Sequence, residues 1–105
     1  MKEISVKDLA QHRTAGADFV LLDVREPDEI ATASLSGATL IPMGEIPERL
    51  GELPKDKPIY VLCRSGARSG RVTQFLDQQG FPDVANVAGG ILAWSKEIDP
   101  SVPQY

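Results

Sequence analysis

Short apolar runs alternate with amphipathic stretches along the chain, and the two patterns predict strands and helices in turn. The strand-like runs, such as FVLLDV and PIYVLC, are almost continuously apolar. Strands have this character when helices cover both faces of a parallel sheet. The pattern therefore predicts an α/β protein with a five-stranded, mainly parallel sheet and helices on both faces.

Proline and glycine residues set the expected limits of these elements. The expected strands are a short one near Ile4 and the segments 19–24, 39–42, 58–63 and 84–89. The expected helices are 6–14, 28–33 after Pro27, a short one within 44–53, 67–79 before Gly80, and 90–98. The tail DPSVPQY contains two prolines and is expected to be extended.

The carboxyl ends of two expected strands carry the candidate chemistry. Cys63 ends the fourth strand, and Asp23 and Arg25 lie at the end of the second. In sheets of this kind the functional crevice lies at the carboxyl ends of the strands. We expect Asp23 and Arg25 to be supporting residues that tie the second strand to the cysteine loop through charged hydrogen bonds.

Composition limits the class of protein. The chain has 105 residues, 42% of them hydrophobic and 25% charged, which suits a single globular domain over 1–105. A net charge of −4 without a basic run argues against nucleic-acid or membrane-surface binding. One cysteine and one histidine exclude an intrachain disulfide and a Cys/His zinc cluster. Without an apolar leader or membrane span, we expect a cytoplasmic protein.

Positive charge surrounds the only cysteine of this acidic chain. In the stretch YVLCRSGARSGR, Arg64, Arg68 and Arg71 follow Cys63 closely. Helices usually carry acidic residues in the first turn, but here the basic residues come first. A local rule broken without structural gain points to function.

The loop after Cys63 is expected to lower the pKa of the thiol. Gly66 permits a tight curl that aims backbone N–H groups at the sulfur, and the next helix begins there. At a pKa of about 8.5, only about 3% of the thiol is ionised at pH 7. A drop of about two units makes it about three-quarters thiolate, which is a nucleophile.

Two chemistries fit a cysteine in a loop that binds anions. Cysteine phosphatases and arsenate reductases attack an oxyanion, and phosphatases separate cysteine and arginine by five residues. Here four residues separate Cys63 from Arg68, which makes a smaller cradle. The spacing favours sulfur relay, in which the cysteine carries a sulfane sulfur as a persulfide.

At these residues the sequence resembles the rhodanese family of sulfurtransferases. The match rests on CRSGARS, and LLDVREPDE, SGATLIP and VANVAGGILAW resemble other family segments in the same order. The resemblance implies an α/β rhodanese-like fold, a persulfide on Cys63, and no metal or organic cofactor. The implied persulfide-binding loop comprises Arg64, Ser65, Gly66, Ala67, Arg68 and Ser69.

The closing segment GGILAWSKEIDPSVPQY resembles a narrower group. Such tails end rhodanese domains fused to ubiquitin-activating-like enzymes, which sulfurate small carrier proteins. This resemblance implies a sulfur-carrier protein as one acceptor. The chain departs from the family at ASLSGA, where Ser34 replaces a usual histidine, so no role is transferred to Ser34.

The leading hypothesis is transfer of a sulfane sulfur, from a thiosulfate-like donor or a persulfide-donor protein, to a thiophilic acceptor. The alternatives are a non-catalytic partner-binding module and a cysteine phosphatase or arsenate reductase. Ser69 is expected to hydrogen-bond the thiolate or to cap the helix, with neither role preferred. Arg71 and His12 are interpreted as surface residues.

Overall fold

Five short strands form one parallel sheet in the order β1-β5-β4-β2-β3. The structure, a computed structural model, describes residues 1–105. The strands are β1 (Glu3–Ile4), β2 (Val20–Asp23), β3 (Thr39–Leu40), β4 (Ile59–Leu62) and β5 (Val84–Val87). Each pair of neighbours runs parallel, so all carboxyl ends meet at one edge. The predicted α/β architecture with a five-stranded sheet is confirmed.

Four α-helices connect the strands, close to their expected positions. They are α1 (Val6–Thr14), α2 (Pro27–Thr32), α3 (Ala67–Gln78) and α4 (Gly90–Glu97). Ser5 caps α1 by accepting a hydrogen bond from the Asp8 N–H at 3.1 Å. None of the helices is long and apolar enough to cross a membrane.

The region between β3 and β4 differs from the expected single helix. It forms two 3₁₀ segments, Met43–Glu45 and Pro47–Glu52. Pro47 has no N–H to continue a hydrogen-bonded helix across this point, so two tight turns take its place. The third strand is also shorter than the expected segment 39–42.

Side chains alternate between two cores, one on each face of the sheet. Tyr60 and Leu62 point into the core that includes α1 and α4 residues such as Leu9 and Trp94. Val61 and Cys63 point into the other, which is built with α3 and the 3₁₀ segments. Because successive strand residues face opposite sides, β4 directs Cys63 toward α3.

Candidate active site

Cys63 lies immediately beyond β4, at the carboxyl edge of the sheet. Asp23, the last residue of β2, is paired with Leu62 at the same edge. Cys63 is only 1% exposed, and its thiol is free. The sheet thus brings the end of β2 beside the cysteine loop, as the sequence predicts.

Hydrogen-bond donors surround the sulfur. The Gly66 N–H donates to Cys63 Sγ at 3.0 Å, and the Ser69 hydroxyl lies 3.2 Å away. Burial raises the pKa of Cys63, but hydrogen bonds from the Ser69 hydroxyl and from the N–H groups of Ser69, Gly66 and Ser65 lower it. These bonds outweigh burial, so the pKa lies below its ordinary value and thiolate forms more readily.

The loop backbone produces this arrangement. Gly66 has φ 107° and precedes α3, which begins at Ala67 without a side-chain cap. A left-handed residue is needed here to turn its N–H back to the sulfur, and glycine adopts that conformation without strain. Ser69 lies in the first turn with its hydroxyl toward the sulfur, so the geometry favours the first of its two expected roles.

Helix α4 supports the cysteine loop through hydrogen bonds to the loop's backbone carbonyls. The N–H groups of Ile91 and Leu92, in the first turn of α4, donate to the carbonyls of Cys63 and Arg64 at 3.0 and 3.1 Å. Gly90 lies so close that an added Cβ would be 2.4 Å from the Arg64 carbonyl oxygen. The Gly89-Gly90 pair is therefore a close-contact turn beside the site.

The loop arginines do not donate hydrogen bonds to the sulfur. Arg68 donates to the Glu29 carboxylate through its two terminal guanidinium nitrogens, Nη1 and Nη2, at 2.6 and 2.8 Å. This bidentate pair holds the pKa of Glu29 at about 2. It also holds the pKa of Arg68 above its ordinary value, with a smaller electrostatic contribution from Cys63. The groups that contact the thiol are therefore N–H and hydroxyl donors, as expected for the loop backbone, and the arginines lie outside this set.

Tyr105 joins several of the charged residues. Arg64 donates through Nε to the Tyr105 carbonyl at 2.5 Å, and its guanidinium lies 5.2 Å from the ring centre. The Tyr105 hydroxyl donates to Glu29 at 2.7 Å and accepts from Arg25 at 3.0 Å. The tail is not extended throughout as expected, because it turns at residues 99–102, where the Val102 N–H donates to the Asp99 carbonyl at 3.1 Å. Its last residue, Tyr105, packs against the mouth of the site.

Asp23 and Arg25 form a fully buried ion pair. Arg25 donates to the Asp23 carboxylate at 2.7 Å and to the Ala33 carbonyl at 2.8 Å. Neither residue hydrogen-bonds the loop 63–68, which corrects the expected connection. The pair instead ties β2 to the C-terminal end of α2, because Arg25 donates to the carbonyl of Ala33, the residue that ends this helix. The link to the loop runs through Glu29 and Arg68.

Three residues of the site were not singled out from the sequence. Glu29 and Tyr105 contact the loop arginines from segments distant in the chain. Asn86 is buried on β5, 2.5 Å from Ser69 Oγ. An asparagine within the apolar run VANVAG was the signal available for Asn86, since strands disfavour it.

The remaining expectations have mixed outcomes. Arg71 and Ser34 are exposed. His12 is half-buried rather than a surface residue, because its ring stacks on Tyr60 with centroids 5.7 Å apart. The largest cavity, about 440 Å³, lies between the α2 segment and the tail, and Cys63 does not line it.

Known proteins are similar in sequence to this chain over nearly its full length. Residues 5–97 match the rhodanese-like domain family. The protein YtwF of Bacillus subtilis is 45% identical over 100 residues, covering 95% of this chain and 96% of the relative. A protein of Allochromatium vinosum named sulfurtransferase is 41% identical over 102 residues, covering 97% and 95%.

A larger relative and a solved structure extend the comparison. The adenylyltransferase and sulfurtransferase UBA4 of Meyerozyma guilliermondii is 34% identical over 112 residues, covering 99% of this chain and 26% of the relative. A rhodanese-like domain protein of Staphylococcus aureus superposes with a TM-score of 0.86 at 35% identity, covering 93% of this chain and 95% of that structure.

Proposed function

Because the chain belongs to the rhodanese-like domain family, we propose that it is a sulfurtransferase that carries a sulfane sulfur on Cys63 as a persulfide. The observation that carries the proposal is the Cys63 sulfur itself, which is aimed into a cradle of hydrogen-bond donors. These donors favour the thiolate, the nucleophilic form of cysteine.

In the first half-reaction the Cys63 thiolate attacks the sulfane sulfur of a donor. A new S–S bond forms on Cys63, and the donor leaves with the electron pair of the broken bond. Thiosulfate would release sulfite, and a persulfide-donor protein would release its thiolate. The terminal sulfur of the Cys63 persulfide then takes the place of a bound anion in the loop.

In the second half-reaction a thiophilic acceptor, such as cyanide or a thiol, attacks the outer sulfur. The S–S bond breaks, its electron pair returns to Cys63, and the thiolate is ready for another cycle. This sequence is nucleophilic catalysis in two steps, and its atoms balance without a metal or an organic cofactor.

The loop residues divide the work in this proposal. Cys63 is the catalytic nucleophile. Ser65, Gly66 and Ser69 supply N–H and hydroxyl donors, and Ala67 begins the helix that presents them. Arg64 and Arg68 place positive charge at the mouth, where anionic donors approach. Asp23 and Arg25 support the site indirectly, because Arg25 donates to the Tyr105 hydroxyl, which donates to Glu29.

We propose a sulfur-carrier protein as one natural acceptor. The resemblance of this chain to part of UBA4, which is named an adenylyltransferase and sulfurtransferase, supports this class of partner. Residues 1–105 are proposed to be one domain, because one core draws on residues from Ile4 to Val102 and the other packs on the opposite face of the same sheet.

Intact mass spectrometry after incubation with thiosulfate tests the proposal. We expect the protein to gain one sulfur on Cys63 and to lose it on addition of cyanide. Cys63→Ser should abolish the gain while circular dichroism shows an unchanged fold, and Ser101→Ala, an exposed site, should behave as wild type. If thiosulfate fails, a persulfidated cysteine desulfurase is the second donor. Failure with both donors, with the fold intact, would contradict the proposal and favour a binding module.

Hydrolysis of an aryl phosphate separates the phosphatase alternative. The short loop between Cys63 and Arg68 predicts no Cys63-dependent release of phosphate. Release that is lost in Cys63→Ser would establish the phosphatase instead.

A further inference from the structure

A buried polar chain connects β5 to the cysteine sulfur. Asn86 Oδ1 lies 2.5 Å from Ser69 Oγ, and Ser69 Oγ lies 3.2 Å from Cys63 Sγ. All three residues are at most 3% exposed. Water therefore competes little for these hydrogen bonds.

The Gly66 carbonyl sets the orientation of the Asn86 amide. Asn86 Nδ2 donates to that carbonyl at 3.0 Å, because a carbonyl can only accept. The amide oxygen consequently faces Ser69. Since an amide oxygen is also only an acceptor, the Ser69 hydroxyl is the donor in this pair.

Ser69 has one hydroxyl proton and two acceptors facing it. An uncharged sulfur is a weak acceptor, so the proton then belongs to Asn86 Oδ1. A thiolate is a much stronger acceptor, because hydrogen bonds to charged groups are about twice as strong as neutral ones. Ionisation of Cys63 should therefore turn the hydroxyl from Asn86 to the sulfur.

We infer that Asn86 is a positioning residue that holds the Ser69 hydroxyl in reserve and releases it to Cys63 only when the sulfur is anionic. In the proposed cycle, which this consequence assumes, Sγ becomes anionic as the acceptor removes the outer sulfur. The electron pair of the S–S bond goes to Sγ, and the hydroxyl turns to stabilise it. The persulfide, whose inner sulfur is uncharged, leaves the hydroxyl on Asn86.

The charged groups near the sulfur do not lie on β5, the strand that carries Asn86. Arg68 of α3 is paired with Glu29 of α2, and Arg64 of the loop contacts Tyr105. β5 (Val84–Val87) contains no titratable residue, and the first turn of α4 contributes only backbone N–H groups. A change at Asn86 therefore reaches Cys63 through Ser69 rather than through charge.

A double-mutant cycle on the Cys63 pKa tests this inference. The pKa is measured from the pH dependence of alkylation by iodoacetamide, which needs no sulfur-transfer activity. We expect Ser69→Ala to raise the pKa by about one unit, the effect of one hydrogen bond to a charged group. Asn86→Leu should lower it by about half a unit, because the hydroxyl then has no other acceptor.

The coupling between the two sites decides the outcome. In the Ser69→Ala background we expect Asn86→Leu to leave the pKa unchanged. Equal shifts in both backgrounds, or a rise on Asn86→Leu alone, would mean that Asn86 only supports the loop. Asn86→Ala repeats the test with a smaller side chain, and the Gly66 carbonyl keeps its hydrogen bond from Gly70 N–H in both variants.

Thr73→Val is the matched control. Thr73 is also buried on α3, but its hydroxyl donates to the Ser69 carbonyl at 2.7 Å and does not contact Cys63. Its removal should leave the Cys63 pKa unchanged. The inference and the proposed function can fail separately. If the double-mutant cycle shows coupling but the mass-spectrometric test finds no persulfide on Cys63, the inference is upheld and the proposed function is refuted.

Discussion

At the scale of single residues, the ionisation of Cys63 depends on hydrogen bonds more than on neighbouring charge. The sulfur is buried beside two arginines, yet the donors that lower its pKa are Ser69 and the loop backbone. Arg68 is engaged by Glu29, which stays ionised down to a pH of about 2. The mouth of the site is therefore less positive than the sequence CRSGAR indicates.

Glu29→Gln should release Arg68 toward anionic donors. We expect a lower KM for thiosulfate, by about threefold to tenfold, because an arginine freed from its carboxylate can bind the dianion. Initial rates at several thiosulfate concentrations measure this change. Asp28→Asn, on the exposed side of α2, is the control and should leave KM unchanged. An unchanged or higher KM in Glu29→Gln would show that Arg68 does not meet the donor.

The stability that the Glu29–Arg68 ion pair gives to wild type, compared with Glu29→Gln, should depend on pH. The folded pKa of Glu29, about 2, lies below the ordinary value of 4.5, so the ion pair stabilises the fold above pH 4.5. That stabilisation is lost as pH falls from 4.5 through 2. Denaturant unfolding should show wild type about 1 kcal/mol more stable than Glu29→Gln at pH 7, with the gap closing toward pH 2. A gap independent of pH would contradict the role of the ion pair.

At the scale of elements, two helix N-termini meet at the cysteine loop. α3 directs N–H groups to the sulfur, and α4 directs its own to the carbonyls of Cys63 and Arg64. The loop is thus fixed on both its N–H and its carbonyl side. Such support keeps donors aimed at the sulfur before any substrate arrives.

Gly90→Ala should break this contact between α4 and the loop. The new Cβ would lie 2.4 Å from the Arg64 carbonyl oxygen, at a residue with φ 62°. We expect the free energy of unfolding to fall by at least about 2 kcal/mol. Chemical denaturation measures the loss.

Gly44→Ala is the matched control for that substitution. No atom lies within 4 Å of its added Cβ, so its stability should change by less than about 0.5 kcal/mol. Equal stability of the two variants would show that the loop can move away from α4 without cost.

At the scale of the whole molecule, a buried ion pair joins distant parts of the chain. Asp23 and Arg25 are fully buried, and Arg25 also reaches Ala33 and Tyr105. The Asp23 carboxylate and the Arg25 guanidinium satisfy each other's hydrogen-bonding groups there. No buried side-chain polar atom of the protein lacks a hydrogen-bond partner. Removal of one partner would leave an uncompensated charge in the core.

Arg25→Met should therefore destabilise the protein by about 3–5 kcal/mol, because Asp23 is left buried without its cation. Asp23→Leu combined with Arg25→Met should recover much of that loss, since no charge then remains. Thermal or denaturant unfolding of the three proteins measures both effects. A double variant no more stable than Arg25→Met would show that packing, not charge, dominates at this pair.

The local pattern of the sequence was sufficient to predict most of the elements and to locate the cysteine loop. Nearly continuous apolar runs predicted the central strands β2 and β4, because strands that are buried on both faces show no alternation of polar and apolar residues. Cys63 and its loop could be identified because their residues are adjacent in the chain. The prediction of one helix within 44–53 was wrong, because the segment forms two 3₁₀ turns divided near Pro47. The spacing of apolar residues does not show that division.

Only the tertiary structure decided which distant groups engage the loop arginines and the Ser69 hydroxyl. Glu29, Asn86 and Tyr105 lie 34, 23 and 42 residues from Cys63 in the chain (63 − 29, 86 − 63 and 105 − 63). They meet at the loop because parallel strands bring their carboxyl ends to one edge. Neither the engagement of Arg68 by Glu29 nor the choice of acceptors for the Ser69 proton is a local property. Both depend on distances that only the packed sheet and helices set.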